Sequence, residues 1–368
     1  MARYAHITGW GMSIPEQVLT NDDLSKMVDT SDEWIRSRTG IRERHIAGVR
    51  ESTATLAADA AAKALIVAGL PARHIDLIIV ATSMPEHLFP STACVVQDHL
   101  GVGDAAAFDI LVACTGFVYA LSIASQMIAG GAHRNALVIA SETLSRLIDW
   151  NDRTTCVLFG DGAGAVVLQA SEKPGGLLSF SLHADGSGGD LLVVPAGGSR
   201  MPASHESVED NKHTISMDGR GVYRFATRVM SASVREVVAK AGLSLDDIRL
   251  IIPHQANRRI IDSASKDLGL PPERFVINVD RYGNTSAASI PIALCEAVSD
   301  GRIHPGDNIV FVAFGGGLTW GSSVVRWVSS SVRRGRRLLW GDRLLARVRS
   351  AARRTRRRLE GIIWGKNV

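Results

Sequence analysis

The sequence predicts an α/β protein made of two similar halves, and three observations support this. The segments AGLPARHIDLII (68–79) and AGLSLDDIRLII (241–252) share seven of twelve residues. The segments LFGDGAGAVVL (158–168) and AFGGGLTWGSSVV (313–325) both run from an apolar stretch through Phe-Gly-x-Gly into β-rich residues. Helical patterns such as TATLAADAAAKALIVAG alternate with strand patterns such as NALVIAS and DNIVFVAF. Two echoes in the same order indicate an internal duplication, and the alternation indicates largely buried sheets.

The individual elements follow from local patterns. In each repeat a helical stretch ends at Gly69 or Gly242, and an apolar run begins shortly afterwards, which predicts a helix leading into a buried strand. FDILVA predicts a strand, and TGFVYALSIASQMIAGG predicts a helix that ends at two glycines. We therefore predict an N-terminal half over 1–175, a C-terminal half over 176–328 and an extension over 329–368.

Composition excludes several classes of protein. The chain has 368 residues, of which 46% are hydrophobic and 21% charged, as in a soluble protein with a large core. Its four cysteines are far apart and form no CxxC pair, which argues against a zinc site, a thioredoxin-type motif or a disulfide framework. Neither a signal-peptide core nor a run of about 18 apolar residues occurs, so we predict a cytoplasmic location.

The glycine-rich segment GDGAGA (160–165) has the spacing of a dinucleotide-binding fingerprint. That fingerprint requires a helix after the glycines, whereas VVLQA predicts a strand. The sequence therefore predicts no NAD site here, and we interpret the glycines as a turn in the packed interior.

Cys114, in DILVACTGF, is the candidate nucleophile, because it falls between the predicted strand and the predicted helix. Unpaired N–H groups and the helix dipole at such a junction are expected to lower the pKa of a thiol. The alternative is that Cys114 only packs, since cysteine is among the most buried residue types. Cys94, Cys156 and Cys295 lie within apolar patterns, and we interpret them as structural.

Partners for a nucleophile occur in the second half. His254, in LIIPHQANRR, follows an apolar run directly, and loops at strand ends often carry chemistry. Asn284, in DRYGNTSAAS, lies at a predicted strand-to-helix junction, where it either takes part in the reaction or caps the helix. The glycines of AFGGGLTWG either aim N–H groups at an oxyanion or form only a tight turn.

Taken together, these motifs resemble those of the β-ketoacyl-acyl-carrier-protein synthase III family. The resemblance rests on DILVACTGF, PHQAN, GNTSAAS and FGGGLTWGS, and on TSDEWIRSRTGIRERHIA at 30–47, in order over about residues 3–328. It implies the thiolase-like fold, with two duplicated halves in a layered α-β-α-β-α core, and a homodimer. It also implies a cytoplasmic enzyme of fatty-acid synthesis with no cofactor.

The resemblance implies one reaction. Cys114 would attack an acyl-CoA thioester, and malonyl-acyl-carrier protein would then lose CO₂ while His254 and Asn284 donate to the thioester oxygen. The carbanion would attack the acyl-cysteine, and the backbone N–H groups of Cys114 and Gly316 would hold the oxyanion.

Further roles follow from the resemblance position by position. Trp34, Arg38 and Arg153 would bind the adenine and phosphates of CoA, with Asn257 supporting this network. Phe89, in HLFPSTAC, would close the acyl pocket of the partner subunit. Arg224 and Arg259 would meet the acidic carrier protein.

Two departures bear on the primer. Thr115 follows the nucleophile where the family more often has alanine, and MPEH (84–87) precedes the dimer loop.

A thiolase needs a second cysteine in the C-terminal glycine loop, and FGGGLTWG has none. Two alternatives stay open: a related condensing enzyme or acyltransferase of secondary metabolism with the same three residues, and a non-catalytic scaffold or membrane adaptor.

The extension has its own character. From Ser331 onwards it carries twelve Arg and one Lys against Asp342 and Glu360, a net charge of +11. Because the whole chain has a net charge of +4, the rest of the chain has a net charge of −7. A mostly apolar stripe has helical spacing, which predicts a basic amphipathic helix; its members are Trp340, Leu344, Val348, Ala351, Thr355, Leu359 and Ile362. We expect peripheral contact with a membrane. The alternatives are packing on the acidic body, or a solvated tail. No fold or aromatic platform suggests nucleic-acid binding.

Overall fold

The structure, a computed structural model, describes residues 3–328 together with 348, 350–352 and 355. The strands of this part are β1 (Tyr4–Ser13), β2 (Gln17–Thr20), β3 (Glu43–Ile46), β4 (Leu77–Ala81), β5 (Ala106–Ile110), β6 (Asn135–Glu142), β7 (Gly162–Ser171), β8 (Gly176–Ala184), β9 (Leu192–Val193), β10 (Ser216–Met217), β11 (Ile248–Pro253), β12 (Asn308–Gly315) and β13 (Thr319–Arg326).

The α-helices of the described residues are α1 (Asn21–Leu24), α2 (Asp32–Thr39), α3 (Thr53–Ala68), α4 (Thr92–His99), α5 (Gly116–Ala129), α6 (His205–Glu209), α7 (Gly219–Lys240), α8 (Arg258–Leu268), α9 (Val279–Tyr282) and α10 (Ser289–Ser299). Two single 3-10 turns, Ala113–Thr115 and Ser286–Ala288, matter for the site.

The strands form two main sheets. The first has the order β1-β7-β6-β4-β5, in which β4 runs parallel to β6 and β5 while β7 is antiparallel to β1 and β6. The second has the order β11-β12-β13-β8, with β11 parallel to β12 and the other pairs antiparallel. The first sheet uses residues from 4 to 171, and the second uses residues from 176 to 326.

The layers follow from which faces are apolar. Helices α5 and α10 are buried between the two sheets in the largest hydrophobic core. Helices α3 and α4 cover the outer face of the first sheet, and α7 and α8 cover the outer face of the second. The order is therefore helix, sheet, helix, sheet, helix, as predicted for the thiolase-like fold.

Local signals place the helices as predicted. Ser52 caps α3 through a capping box, and Gly69 ends it in the left-handed conformation at φ +62°. Helix α7 ends at Lys240 with Ala241 as its C-cap, and Gly242 then takes the left-handed conformation at φ +69°. Fully or nearly fully buried strands follow at β4 and β11. Both members of the first sequence echo are thus a helix that leads into a buried strand, as predicted.

The glycines of 160–165 do not form the predicted turn. Gly162 and Gly164 lie inside strand β7, and a methyl group on Gly164 would lie 2.7 Å from the Pro291 ring of α10. These glycines therefore allow the central helix layer to approach the first sheet closely. The predicted strand after them is confirmed.

Within the described residues, no helix combines the length and the apolar character needed to cross a bilayer. Most of the predicted stripe of the extension lies outside the described residues, namely Trp340, Leu344, Leu359 and Ile362. Val348, Ala351 and Thr355 are helical and exposed, whereas Ser350 is 5% exposed and its hydroxyl donates to Asp98 Oδ1 at 2.8 Å.

Candidate active site

Cys114 lies on the 3-10 turn between β5 and α5, as the sequence predicts for a strand-to-helix junction. Its side chain is only 6% exposed. The residue before it, Ala113, has φ +42°, a left-handed conformation that L-residues adopt at a cost of about 1–2 kcal/mol. Such local strain is typical of functional turns and fixes the direction of the sulfur.

The predicted lowering of the Cys114 pKa is wrong. The pKa of the thiol is raised to about 12, mainly by burial and in smaller part by the nearby Glu142 carboxylate, while the Ser286 side chain acts in the opposite direction. The loss of hydration therefore outweighs the helix end. The resting enzyme holds a protonated thiol, so the proton must leave as the sulfur attacks.

His254 directly follows β11, as predicted, and its imidazole is 1% exposed. Its backbone N–H donates to Val312 O at 2.8 Å, and its Nδ1 lies 2.8 Å from the Ser289 hydroxyl. Burial lowers the pKa of His254 to about 3. The ring is therefore neutral at physiological pH and has an N–H to donate.

Asn284 lies between α9 and the turn Ser286–Ala288, not at the predicted strand-to-helix junction, because residues 279–282 are helical. Its Oδ1 accepts the backbone N–H of Ser286 at 2.9 Å. Because the oxygen is occupied, the amide NH₂ is the part of this side chain that is left to donate to a substrate. The side chain is 7% exposed.

Ser286 joins the nucleophile to the carboxamide. Its side chain lies close enough to the Cys114 thiol to lower the pKa of that thiol, and its backbone N–H donates to the carboxamide oxygen of Asn284. Ser286 has φ +48°, the second left-handed non-glycine residue of the site. Two strained residues thus support the Cys114 sulfur from two different segments.

Strand β12 connects the His254 imidazole to the Cys114 turn. The Phe314 ring packs edge-to-face on His254 with 5.3 Å between ring centroids. Gly315 follows, and a methyl group added there would lie 2.9 Å from Cys114 N. Cys114, His254 and Asn284, which lie far apart in sequence, are therefore connected by direct neighbours in one buried site.

The glycine loop after β12 is tied to the nucleophile turn. The Thr319 hydroxyl lies 3.0 Å from Gly316 O and 2.7 Å from the Thr115 hydroxyl, which lies 2.6 Å from Val112 O. The two hydroxyl protons are therefore shared among three contacts. Thr115, a departure from the family pattern, is fully buried in this network. Its hydroxyl thus links the two segments that would bind the oxyanion.

The residues predicted to bind CoA lie together at the surface. The Arg38 guanidinium carbon is 4.8 Å from the centre of the Trp34 ring, and that of Arg153 is 5.8 Å from it. Asn257 caps α8 and donates to Arg38 O at 3.0 Å, so it joins this helix end to α2. Arg153 also binds Asp29 at 2.9 Å.

Two other predicted groups are at the surface as well. Arg224, on α7, and Arg259, on α8, are exposed, and the Arg259 guanidinium carbon lies 5.5 Å from the ring centre of Tyr223. Phe89 is 86% exposed beside Leu88 at 87%, and Leu111, just before the nucleophile turn, is 75% exposed.

Sequence reasoning missed several residues of the site. Ser286 and Ser289 lie in the segment GNTSAAS (283–289), but the sequence indicates only helix capping for them. Phe314 and Gly315 belong to the glycine motif, and the sequence did not single them out. Glu142 gave no signal at all. Of the three cysteines interpreted as structural, Cys156 and Cys295 are buried, whereas Cys94 is exposed on α4.

The layered fold, with a buried cysteine, imidazole and carboxamide connected as described, defines a condensing acyltransferase of the thiolase-like type. Comparison with known proteins gives the family. The profile of 3-oxoacyl-[acyl-carrier-protein] synthase III matches residues 108–186, and that of its C-terminal part matches 238–327. The chain belongs to the β-ketoacyl-[acyl-carrier-protein] synthase III family.

Individual relatives agree. The synthase III of Roseiflexus sp. (strain RS-1) is 55% identical over 329 residues, 89% of this chain and 100% of the relative. The solved synthase III of Aquifex aeolicus VF5 superposes with a TM-score of 0.82 at 48% identity, and the match covers 88% of this chain and 100% of the Aquifex chain. The solved priming β-ketosynthase of the R1128 polyketide pathway superposes with a TM-score of 0.83 at 34% identity, and the match covers 89% of this chain and 97% of the β-ketosynthase chain.

Proposed function

We propose that this enzyme condenses an acyl-CoA primer with malonyl-acyl-carrier protein and thereby starts fatty-acid synthesis, through an acyl-Cys114 intermediate. The products are 3-oxoacyl-acyl-carrier protein, CO₂ and CoA. The observation that carries the proposal is the connection of Cys114 to Asn284 through Ser286 and to His254 through the Gly315 segment.

The first half of the reaction loads the primer. The Cys114 sulfur attacks the thioester carbonyl, CoA leaves, and the oxyanion formed in between lies at the N–H groups of Cys114 and Gly316. Gly315 supports this arrangement, because only a residue without a side chain lets β12 approach the Cys114 backbone so closely.

The second half makes the carbon–carbon bond. The imidazole of His254 and the amide NH₂ of Asn284 donate to the malonyl thioester oxygen, where enolate charge develops as CO₂ leaves. In this mechanism Ser289 donates to Nδ1, so the neutral ring would carry its proton on Nε2, toward the substrate. The carbanion then attacks acyl-Cys114.

Substrate binding follows from the surface groups. The Trp34 ring with Arg38 and Arg153 presents an aromatic plane and two cations, which suit the adenine and phosphates of CoA. Arg224 and Arg259 would meet the acidic carrier protein by charge attraction.

Two copies of the chain would complete the site. Strand β5 is an edge of the first sheet, and Leu88, Phe89 and Leu111 beside it are largely exposed apolar side chains. Exposed edges and apolar patches mark interaction surfaces. A homodimer through this edge would place Phe89 in the acyl pocket of its partner.

The enzyme is expected to gain the mass of one acyl group at Cys114 when it is incubated with its primer acyl-CoA. Intact-protein mass spectrometry over a panel of straight and branched acyl-CoAs measures both the reaction and the primer preference. Cys114→Ala is expected to gain no mass from any of them. Equal labelling of the variant and the wild type would contradict the proposal, and preference for an unusual primer would favour the secondary-metabolism alternative.

We propose that the extension contacts anionic membrane surfaces peripherally. Of its stripe, Val348, Ala351 and Thr355 are exposed, while Ser350 on another face of the helix touches the body at Asp98. The body would thus hold these three stripe residues outward. Anionic lipid attracts basic residues by about 1 kcal/mol each near the surface.

Full-length protein is expected to co-sediment with phosphatidylglycerol vesicles, and a variant ending at Ser330 is expected to stay in the supernatant. Phosphatidylcholine vesicles are the matched control and should bind less, because they carry no net charge. Equal sedimentation of the two proteins would remove the membrane role and leave packing on the body or a solvated tail as the alternatives for the extension.

A further inference from the structure

Arg44, on β3, is fully buried although its side chain is a cation. In the described part of the chain its hydrogen-bond partners are all uncharged, and its Nε has none. Burial lowers the pKa of Arg44 to about 10, so the guanidinium is still charged at physiological pH. A buried cation without a direct anionic partner is costly, so its presence requires an explanation.

The two terminal nitrogens of Arg44 bind different segments. Nη1 donates to Asn21 Oδ1 at 2.9 Å and to Leu19 O at 3.2 Å. The Asn21 amide donates in turn to Asp32 Oδ1 at 2.9 Å, so one carboxamide connects the guanidinium to a carboxylate and partly compensates the buried charge. Nη2 donates to Val157 O at 2.7 Å, in a segment 113 residues further along the chain.

The segment that contains Val157 positions Asn284. The next residue, Leu158, accepts the Asn284 N–H at 2.8 Å, and the Gly160 N–H donates to Asn284 O at 3.1 Å. A parallel β-bridge joins the two segments at this point. Both backbone polar groups of Asn284 are therefore held by residues that directly follow the carbonyl bound to the guanidinium.

The aliphatic part of the Arg44 side chain lies against the same two segments. A methyl group on Gly160 would lie 3.1 Å from Arg44 Cβ, and one on Gly283 would lie 3.2 Å from it. Gly283 directly precedes Asn284 and has φ +63°, a conformation that favours glycine. The two segments that meet at Asn284 are thus packed on Arg44, and one of them is also hydrogen-bonded to it.

We propose that Arg44 is a positioning residue, whose guanidinium holds the segment 157–160 and through it the Asn284 carboxamide in the place required for donation to the malonyl thioester oxygen. The inference rests on the proposed function, in which Asn284 acts in the second half of the reaction. Loss of the guanidinium should therefore slow condensation and leave the loading of Cys114 nearly unchanged.

Arg44→Met is the principal variant, because it keeps an unbranched side chain against the two glycines and removes the N–H donors. Two backbone bonds of the same strand region do not involve the replaced side chain. The Arg42 N–H donates to Asp280 O at 2.9 Å, and the Asp161 N–H donates to His45 O at 2.8 Å. The variant is therefore expected to fold.

The expected effect of Arg44→Met is a loss of about 10²-fold in the rate of condensation, since a displacement of about 1 Å in a catalytic group can cost this much. Arg44→Lys keeps the charge, but one nitrogen cannot replace the guanidinium fork. It should therefore recover only part of the loss.

The measurement uses full-length enzyme and compares two rates. Loading of Cys114 is followed by intact-protein mass spectrometry, and condensation is followed by release of labelled CO₂ from malonyl-acyl-carrier protein. A variant that is only less stable loses the same fraction of both, so the ratio of condensation to loading isolates the positioning effect. Leu65→Ala, in the outer core of the first sheet, is the matched control; it should lower the melting temperature and keep the ratio.

Two further measurements separate positioning from a general structural role. If Arg44 acts through Asn284, adding Arg44→Met to Asn284→Asp should cost little more than Asn284→Asp alone, whereas independent effects would multiply. In Arg44→Met, amide hydrogen exchange should become faster in peptides covering 157–160 and 283–286 and stay unchanged in α3.

An unchanged ratio of condensation to loading in Arg44→Met, losses that multiply in the double variant, or unaltered exchange of the two segments would overturn the inference. Wild-type enzyme that releases no CO₂ from malonyl-acyl-carrier protein would overturn the proposed function instead. Hydrogen exchange, which requires no substrate, would then decide by itself whether Arg44 holds the Asn284 segment.

Discussion

Gly315→Ala is expected to lower the rate of both half-reactions by about 10²–10³-fold, the usual effect of losing an oxyanion donor. The added methyl would lie 2.9 Å from Cys114 N and 3.0 Å from Cys114 Cβ. Because the nitrogen belongs to the backbone of the turn and the β-carbon is fixed directly to that backbone, either the turn or the glycine loop must shift. The N–H groups of Cys114 and Gly316 would then no longer converge on one point.

The measurement is the rate of acyl-Cys114 formation together with steady-state condensation. Gly103→Ala is the matched control, since its methyl would meet nothing within 4 Å, and it should retain wild-type rates. A Gly315→Ala enzyme that condenses at the wild-type rate would show that β12 does not position the oxyanion donors.

Asn284→Asp is expected to separate the two halves of the reaction. The carboxylate oxygen still accepts the Ser286 N–H, so the segment keeps its shape, but the amide donor is lost and a negative charge faces the developing enolate. Condensation should fall by about 10²–10³-fold. Loading of Cys114 should stay within a few-fold of wild type.

Release of labelled CO₂ from malonyl-acyl-carrier protein reports the second half, and the mass of the protein reports the first. Cys114→Ala serves as the reference for complete loss of loading. Parallel losses in both assays would mean that Asn284 supports the nucleophile and does not act on the malonyl group.

The sequence predicts the architecture because its signals are strong and repeated. Gly69 and Gly242 end equivalent helices, and the apolar runs after them are long enough to be buried strands. The three principal site residues were predicted because each adjoins a recognisable strand end or turn, and because the motifs around them resemble one family.

Other features depend on tertiary contacts that no local pattern encodes. The acidity of Cys114 was mispredicted because the helix end is visible in the sequence, whereas complete burial and the Glu142 charge are not. Ser286 resembles any helix-capping serine until its left-handed backbone is seen. Cys94 was misplaced because one apolar pattern fits both an inward and an outward face of a short helix.

The hydroxyl pair of Thr115 and Thr319 connects a turn of the first half with the glycine loop of the second. Each hydroxyl also lies within hydrogen-bond distance of a carbonyl of its own segment, and because two protons serve these three contacts, the two residues depend on each other. Hybrid enzymes assembled from the halves of two relatives would therefore need to inherit both threonines from one parent. Across related chains, these two positions should change together, even though 204 residues separate them.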